Sequence, residues 1–179
     1  MSLTLIIGCM FSGKSTELIR MVRRYRIIGK NVMVINHAID NRYSDQPDVV
    51  SHSGHKISGV KVDKLSEVTF ENRPDVIAID EAQFFNDLNG QVMNFVENMG
   101  IDVIVAGLSG DYQRKAFGNI LDLVPKCDHL VFMNAFCSSC KDGTHATFTM
   151  RLSDQEGQTL VGDDQQYRPV CRKCYINMT

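Results

Sequence analysis

Residues 3 to 15 read Leu3-Thr4-Leu5-Ile6-Ile7-Gly8-Cys9-Met10-Phe11-Ser12-Gly13-Lys14-Ser15, an apolar run leading straight into the pattern G-x-x-x-x-G-K-[ST]. Each part has a physical role in holding phosphate. The apolar run predicts a buried strand over Leu3–Ile7, which sets where the loop begins. The glycines let backbone N–H groups curl around phosphate oxygens, and a helix starting near Lys14 adds the positive end of its dipole. Within Gly8, Cys9, Met10, Phe11, Ser12, Gly13, Lys14 and Ser15, the lysine would reach the β- and γ-phosphates and the serine hydroxyl would ligate Mg2+. The bland alternative is a glycine-rich turn with an incidental lysine, and the strand before and helix after count against it. The loop names a nucleoside triphosphate as ligand and leaves open what receives the phosphate.

Working outward, Leu18, Met21, Val22, Tyr25 and Ile28 recur at helical spacing, predicting a helix from Lys14 to Ile28 closed by Gly29. Further strands are predicted at Val32–Ile35, Val76–Ile79, Ile101–Ala106 and His129–Met133, with a helix from about Asp87 to Met99 that stops at Gly100. Val32–Ile35 is continuous in its hydrophobicity, as parallel strands covered on both faces are. Strands alternating with helices predict an α/β fold, a P-loop (RecA-like) doubly wound parallel sheet. Residues 37–60 are polar and without period, which reads as a loop with short ribbon strands. From Cys137 onward cysteines and turn residues dominate, so the chain divides into a nucleotide-binding part, 1–135, and a small zinc-binding part, 136–179.

At 179 residues and a net charge of −2, the chain has room for one domain with a small appendage and is not built to coat nucleic acid. It has no run of 18 apolar residues and no charged segment preceding an apolar signal, so neither a membrane span nor secretion is expected, and a cytoplasmic location is. Four of the six cysteines form two pairs, Cys137-x-x-Cys140 and Cys171-x-x-Cys174, with 30 residues between them. Two such knuckles supply the S4 tetrahedron of structural zinc; a redox pair is disfavoured because neither opens a βαβ unit. Cys9 and Cys127 read as ordinary buried cysteines. Arg20, Arg23, Arg24 and Arg26 read as a solvated face or subunit contact, and His52 and His55 as loop histidines.

The strand Val76–Ile79 runs into Asp80-Glu81-Ala82-Gln83-Phe84-Phe85. An acidic residue at the end of an apolar strand, downstream of a phosphate loop, suits Mg2+ coordination, and Asp80 fits that role. Glu81 projects one residue further and could take a proton from an attacking hydroxyl or water, whereas Phe85 reads as core. The letters D-E-A-Q also occur in helicases, but a helicase motor needs a second domain of similar size, for which there is no room.

Phosphate loop, D-E-x-Q-F-F and paired knuckles together resemble the type II thymidine kinases, and the resemblance covers nearly the whole chain. It includes Asp40-Asn41-Arg42-Tyr43, Gln113-Arg114-Lys115 with Phe117-Gly118, and Tyr167 ahead of Val170-Cys171-Arg172-Lys173-Cys174-Tyr175. The resemblance implies phosphorylation of the 5′-hydroxyl of thymidine from ATP, with deoxyuridine a second substrate. It makes Glu81 the general base, with Lys14 and Arg42 on the transferring phosphate. ATP would be held by the phosphate loop with Asp40, Asn41, Arg42, Asp80, Glu81, Ala82 and Gln83, and Mg2+ by Ser15 and Asp80. The nucleoside pocket would comprise Met10, Phe84, Leu108, Tyr112, Phe117, Thr149 and Tyr167, with Gln158, Thr159, Leu160, Val161 and Gly162 reading the base edge from a lid between the zinc knuckles. A homotetramer inhibited by thymidine triphosphate, with no stable nucleic-acid binding, is also implied. The chain departs from the family pattern at Cys9 (commonly proline), at Ser109 (commonly aspartate) and at Asp111-Tyr112 (usually threonine-phenylalanine). The rival classes are a nucleic-acid-binding NTPase with a zinc ribbon and a metal- or redox-responsive regulator; the second leaves the phosphate loop unexplained.

Overall fold

The computed structural model describes residues 1–39, 48–50, 56–152, 157–158 and 166–178. In chain order the elements begin with β1 (Leu3–Gly8), α1 (Lys14–Ile27), β2 (Val32–His37), β3 (Asp48–Val50), β4 (Lys56–Ser58) and β5 (Val60–Val62). Then come β6 (Val76–Ile79), α2 (Leu88–Met93), β7 (Asp102–Leu108) and β8 (His129–Met133). The C-terminal elements are β9 (Ala135–Phe136), β10 (His145–Ala146), β11 (Phe148–Arg151), β12 (Tyr167–Val170) and α3 (Arg172–Met178).

Six strands form one parallel sheet in the order β5-β2-β6-β7-β1-β8. The continuous hydrophobicity of its central strands has a direct cause, because successive side chains enter cores on opposite faces. Leu3, Leu5 and Ile7 of β1 join Ile77, Ile79, Val103 and Val105 beneath Leu88, Val92 and Phe95. Ile6 instead joins Ala78, Ile104 and Ala106 against Leu18, Ile19 and Val22 of α1. Fully burying each of these large side chains is worth about 1.5–3 kcal/mol. Helices thus cover both faces, as the doubly wound reading requires. Since all six strands run the same way, β1, β6 and β7 end at the same edge of the sheet, where ligands of such folds bind.

Beyond β8 the chain leaves the sheet. The antiparallel ribbons β9–β10 and β11–β12 and the helix α3 gather around Cys137, Ala146, Met150, Val170, Cys171 and Tyr175. Cys9, buried, and Phe11, packed against its margin, belong to the same cluster, so the phosphate loop shares a core with the cysteine knuckles.

Three local expectations are corrected. The helix expected over Asp87–Met99 is α-helical only from Leu88 to Met93, then widens into a π-helical turn over Asn94–Asn98. Gly90 and three asparagines support a regular helix poorly, and the wider turn buries both Phe95 and Val96. The segment read as polar loop forms the expected ribbon β3–β4, and its last residue, Val60, opens β5, a three-residue edge strand that was not expected and is too short to show a period. Cys127 is only half-buried, its thiol donating to the Val124 carbonyl, whereas Cys9 is buried as expected.

Candidate active site

The loop between β1 and α1 is shaped by backbone contacts. A side chain at Gly8 would place its Cβ 2.2 Å from the Met133 carbonyl oxygen, so only glycine lets β1 enter the loop beside β8. Phe11 (φ 61) and Gly13 (φ 89) both adopt left-handed conformations, the kind of backbone that turns successive N–H groups inward. The Ser12 hydroxyl and the Lys14 ammonium both donate to the Cys9 carbonyl, at 2.8 and 2.7 Å. Gly13 then caps α1 without a side-chain partner, and its carbonyl accepts from the Glu17 N–H at 2.9 Å. The loop is also fastened from outside: the Met10 N–H donates to Thr149 Oγ1 at 3.0 Å, and the Cys9 thiol to the Ala146 carbonyl at 3.3 Å. Burial pushes the Cys9 thiol above its ordinary range, with the nearby Lys14 charge and backbone hydrogen bonds opposing, so it remains a neutral donor.

At the end of β6, Asp80 is buried and its Oδ1 accepts the Glu81 N–H at 3.0 Å. Glu81 is half-buried and lies in the left-handed region (φ 50, ψ 38), turning the chain sharply into a 3-10 turn over Ala82–Phe84. In the sheet order, β7 lies between the strand carrying Asp80 and the strand delivering the loop, and Ser109, just past β7, donates its N–H to the Gly8 carbonyl at 3.3 Å. An acceptor-only carboxylate at this position suits a divalent cation. Ser15 opens α1 at the same sheet edge.

The residues expected around the nucleoside fall into linked groups. Phe84 meets Phe117 edge-on at 5.4 Å and lies tilted against His37 at 5.7 Å; Phe85 is buried in the core. Leu108 gives its N–H to the Gln83 side chain. Met10 and Thr149 are paired through the bond above. Tyr112, Tyr167 and Gln158 converge on a residue sequence reading missed, Arg151. Its guanidinium lies 3.8 Å from the Tyr112 ring centre and donates to the Tyr167 hydroxyl (2.7 and 3.2 Å) and to the Gly157 (2.6 Å) and Gln158 (3.1 Å) carbonyls. Asp111 was missed as well. Its carboxylate accepts from the Gln113 and Lys115 N–H groups and, at 2.8 Å, from the Gln158 amide. An open cleft of about 540 Å3 is lined by Asp111, Tyr112, Gln113, Lys115, Gly157 and Gln158. No periodicity marks Arg151; the departure at Asp111-Tyr112 was the available signal. Asp40, Asn41, Arg42, Thr159, Leu160, Val161 and Gly162, with His52 and His55, lie outside the described residues.

The four paired cysteines come together, all four sulfurs lying within 4.8 Å of one another. Cys140 Sγ is 3.8 Å from Cys171 Sγ and 3.5 Å from Cys174 Sγ. A tetrahedron with Zn–S bonds of about 2.3 Å has edges of about 3.8 Å, so the set fits zinc. Burial raises the Cys137 thiol, but the Cys171, Cys140 and Ser139 N–H groups and the Cys140 thiol outweigh it and hold it down to about 6. Cys140, sharing hydrogen bonds with Cys174, Cys137 and Cys171, is pushed up to about 12.

The family model for thymidine kinase matches residues 1–175. The chain belongs to the thymidine kinase family. A thymidine kinase of Yaba monkey tumor virus (strain VR587) is 37% identical over 175 residues, covering 97% of this chain and 94% of the relative. One from Bacteroides thetaiotaomicron is 40% identical over 172 residues, 96% of this chain and 85% of the relative. One from Vaccinia virus (strain Western Reserve) is 43% identical over 178 residues, 97% and 96%. Family membership settles the rival classes in favour of a kinase. Among the described residues no helix is long and apolar enough to cross a membrane.

Proposed function

We propose that this kinase transfers the γ-phosphate of ATP to the 5′-hydroxyl of thymidine, in DNA-precursor salvage. The observation that carries the reading is the Met10–Thr149 hydrogen bond, which ties the phosphate loop to the ribbon bearing Thr149 and Tyr167. Donor and acceptor sites would then share one wall. Glu81 takes the proton of the 5′-hydroxyl as that oxygen bonds to the γ-phosphorus. The bond from the γ-phosphorus to the β–γ bridging oxygen breaks, and ADP departs carrying the charge. Lys14, swinging from the Cys9 carbonyl, and Arg42 stabilise that charge; such an arginine is worth about 10³–10⁵ in rate. Ser15 and Asp80 would hold the Mg2+ that arrives with ATP and neutralises phosphate charge. Asp40, Asn41 and the loop amides complete the nucleotide site, and Ala82 and Gln83 support it from below.

Met10, Phe84, Leu108, Tyr112, Phe117, Thr149 and Tyr167 would enclose the nucleoside, with Gln158 to Gly162 at the base edge. One methyl group distinguishes thymine from uracil by only about 1–3 kcal/mol, so deoxyuridine is a second substrate. Cys137, Cys140, Cys171 and Cys174 would bind structural zinc and make 136–179 a metal-anchored unit. Leu130 (48% exposed) and Phe132 (50%) on the edge strand β8 support burial against another copy in a homotetramer. Cytoplasmic operation and feedback inhibition by thymidine triphosphate complete the reading.

The test measures ADP release with thymidine, with each other deoxynucleoside and with single-stranded DNA. Thymidine monophosphate is the expected product, and stimulation by DNA alone would refute the reading. Glu81→Gln should retain ATP binding and lose about 10²–10⁴-fold in turnover, the usual contribution of a general base.

A further inference from the structure

Gln83 is buried, yet its side chain has both ends occupied. Its Oε1 accepts the Leu108 N–H at 3.0 Å, and its Nε2 donates to Glu81 Oε2 at 2.6 Å. The orientation of this amide follows from its partners. A backbone N–H can only donate, so the oxygen must face Leu108 and the nitrogen must face the carboxylate. The space the oxygen occupies exists because residue 107 is glycine: a Cβ there would lie 2.6 Å from Gln83 Oε1. Meanwhile the Glu81 backbone is held in a left-handed conformation that non-glycine residues rarely adopt, and the Asp80 carboxylate accepts its N–H.

We infer that Gln83 is a positioning residue for Glu81: it relays the fixed backbone of β7 to the carboxylate and holds one oxygen where the acceptor hydroxyl must meet it. The inference rests on Glu81 being the base. The neutral amide does this without adding charge beside Asp80. A glutamate at 83 is the same size and keeps an oxygen for the Leu108 N–H, but it turns a donated hydrogen bond into two carboxylates facing each other.

The test therefore uses Q83E. Displacing a reacting group by about 1 Å costs about 10²-fold, so kcat should fall about 10- to 100-fold while KM for ATP and for thymidine stays within about threefold. Unchanged kcat, or a loss confined to KM, overturns the inference. A melting experiment is independent of activity: Q83E should melt below the native protein at neutral pH, and E81Q/Q83E should regain much of the loss, because the new amide at 81 can donate to the new carboxylate at 83. No recovery in the double variant also overturns it. If recovery occurs but E81Q alone turns over normally, the contact stands and the assignment of Glu81 as base is what fails.

Discussion

Thr149 does two things at once. Its hydroxyl accepts the Met10 N–H inside a buried contact, and its position on β11 brings the C-terminal ribbon against the phosphate loop. Thr149→Val keeps the volume but leaves that N–H without an acceptor, at a cost of about 1–3 kcal/mol. Thr149→Ser keeps the oxygen and should recover most of it. Denaturant midpoints of the two variants check this, and equal midpoints would remove the bond from the account. Cys9 makes the companion contact to Ala146, which gives a physical role to a residue standing where the family commonly has proline. The types and spacing of the loop residues were legible in the chain, because phosphate binding dictates them. Their outside fastenings were not, since a hydrogen bond spanning 139 residues leaves no local pattern.

Strands β1, β6 and β8 were readable to within a residue: β1 and β6 because burial on both faces demands mainly apolar side chains, and β8, largely exposed at the sheet edge, because Leu130 to Met133 is apolar all the same. The turn from Gly110 to Gly118 was not, for it is held by the Asp111 carboxylate rather than by periodic packing. Arg151 links this turn to β12 and to Gly157–Gln158 through its stacking on Tyr112 and its bonds to the Tyr167 hydroxyl and two carbonyls. Such a planar fork is not replaceable by a lysine point charge. Arg151→Lys should raise the thymidine KM about tenfold or more, a loss of about 1.4 kcal/mol, and leave the ATP KM nearly unchanged. Steady-state kinetics with each substrate varied in turn decide it; an equal rise for both would show a general loss of structure.

The cysteine knuckles and the phosphate loop share one apolar cluster, so a metal that orders the knuckles should be felt at the loop. Stripping the metal with a chelator should weaken ATP binding as well as lower the melting temperature, and adding Zn2+ should restore both. Calorimetry on the stripped and reloaded protein checks it, and unaltered ATP affinity in the stripped form would uncouple the two. By itself the sequence determined the α/β class, the phosphate loop, the acidic strand end and the four paired cysteines. Each of those is demanded locally, by a period, a close backbone approach or a ligand count. Only the tertiary structure decided the strand order, the placing of β7 between the strand that ends at Asp80 and the strand that delivers the phosphate loop, and the use of Arg151, Asp111 and Gln83 as fasteners. These depend on contacts between residues far apart in the chain, and the side chains that make them are ordinary polar residues until the fold brings their partners within hydrogen-bond reach.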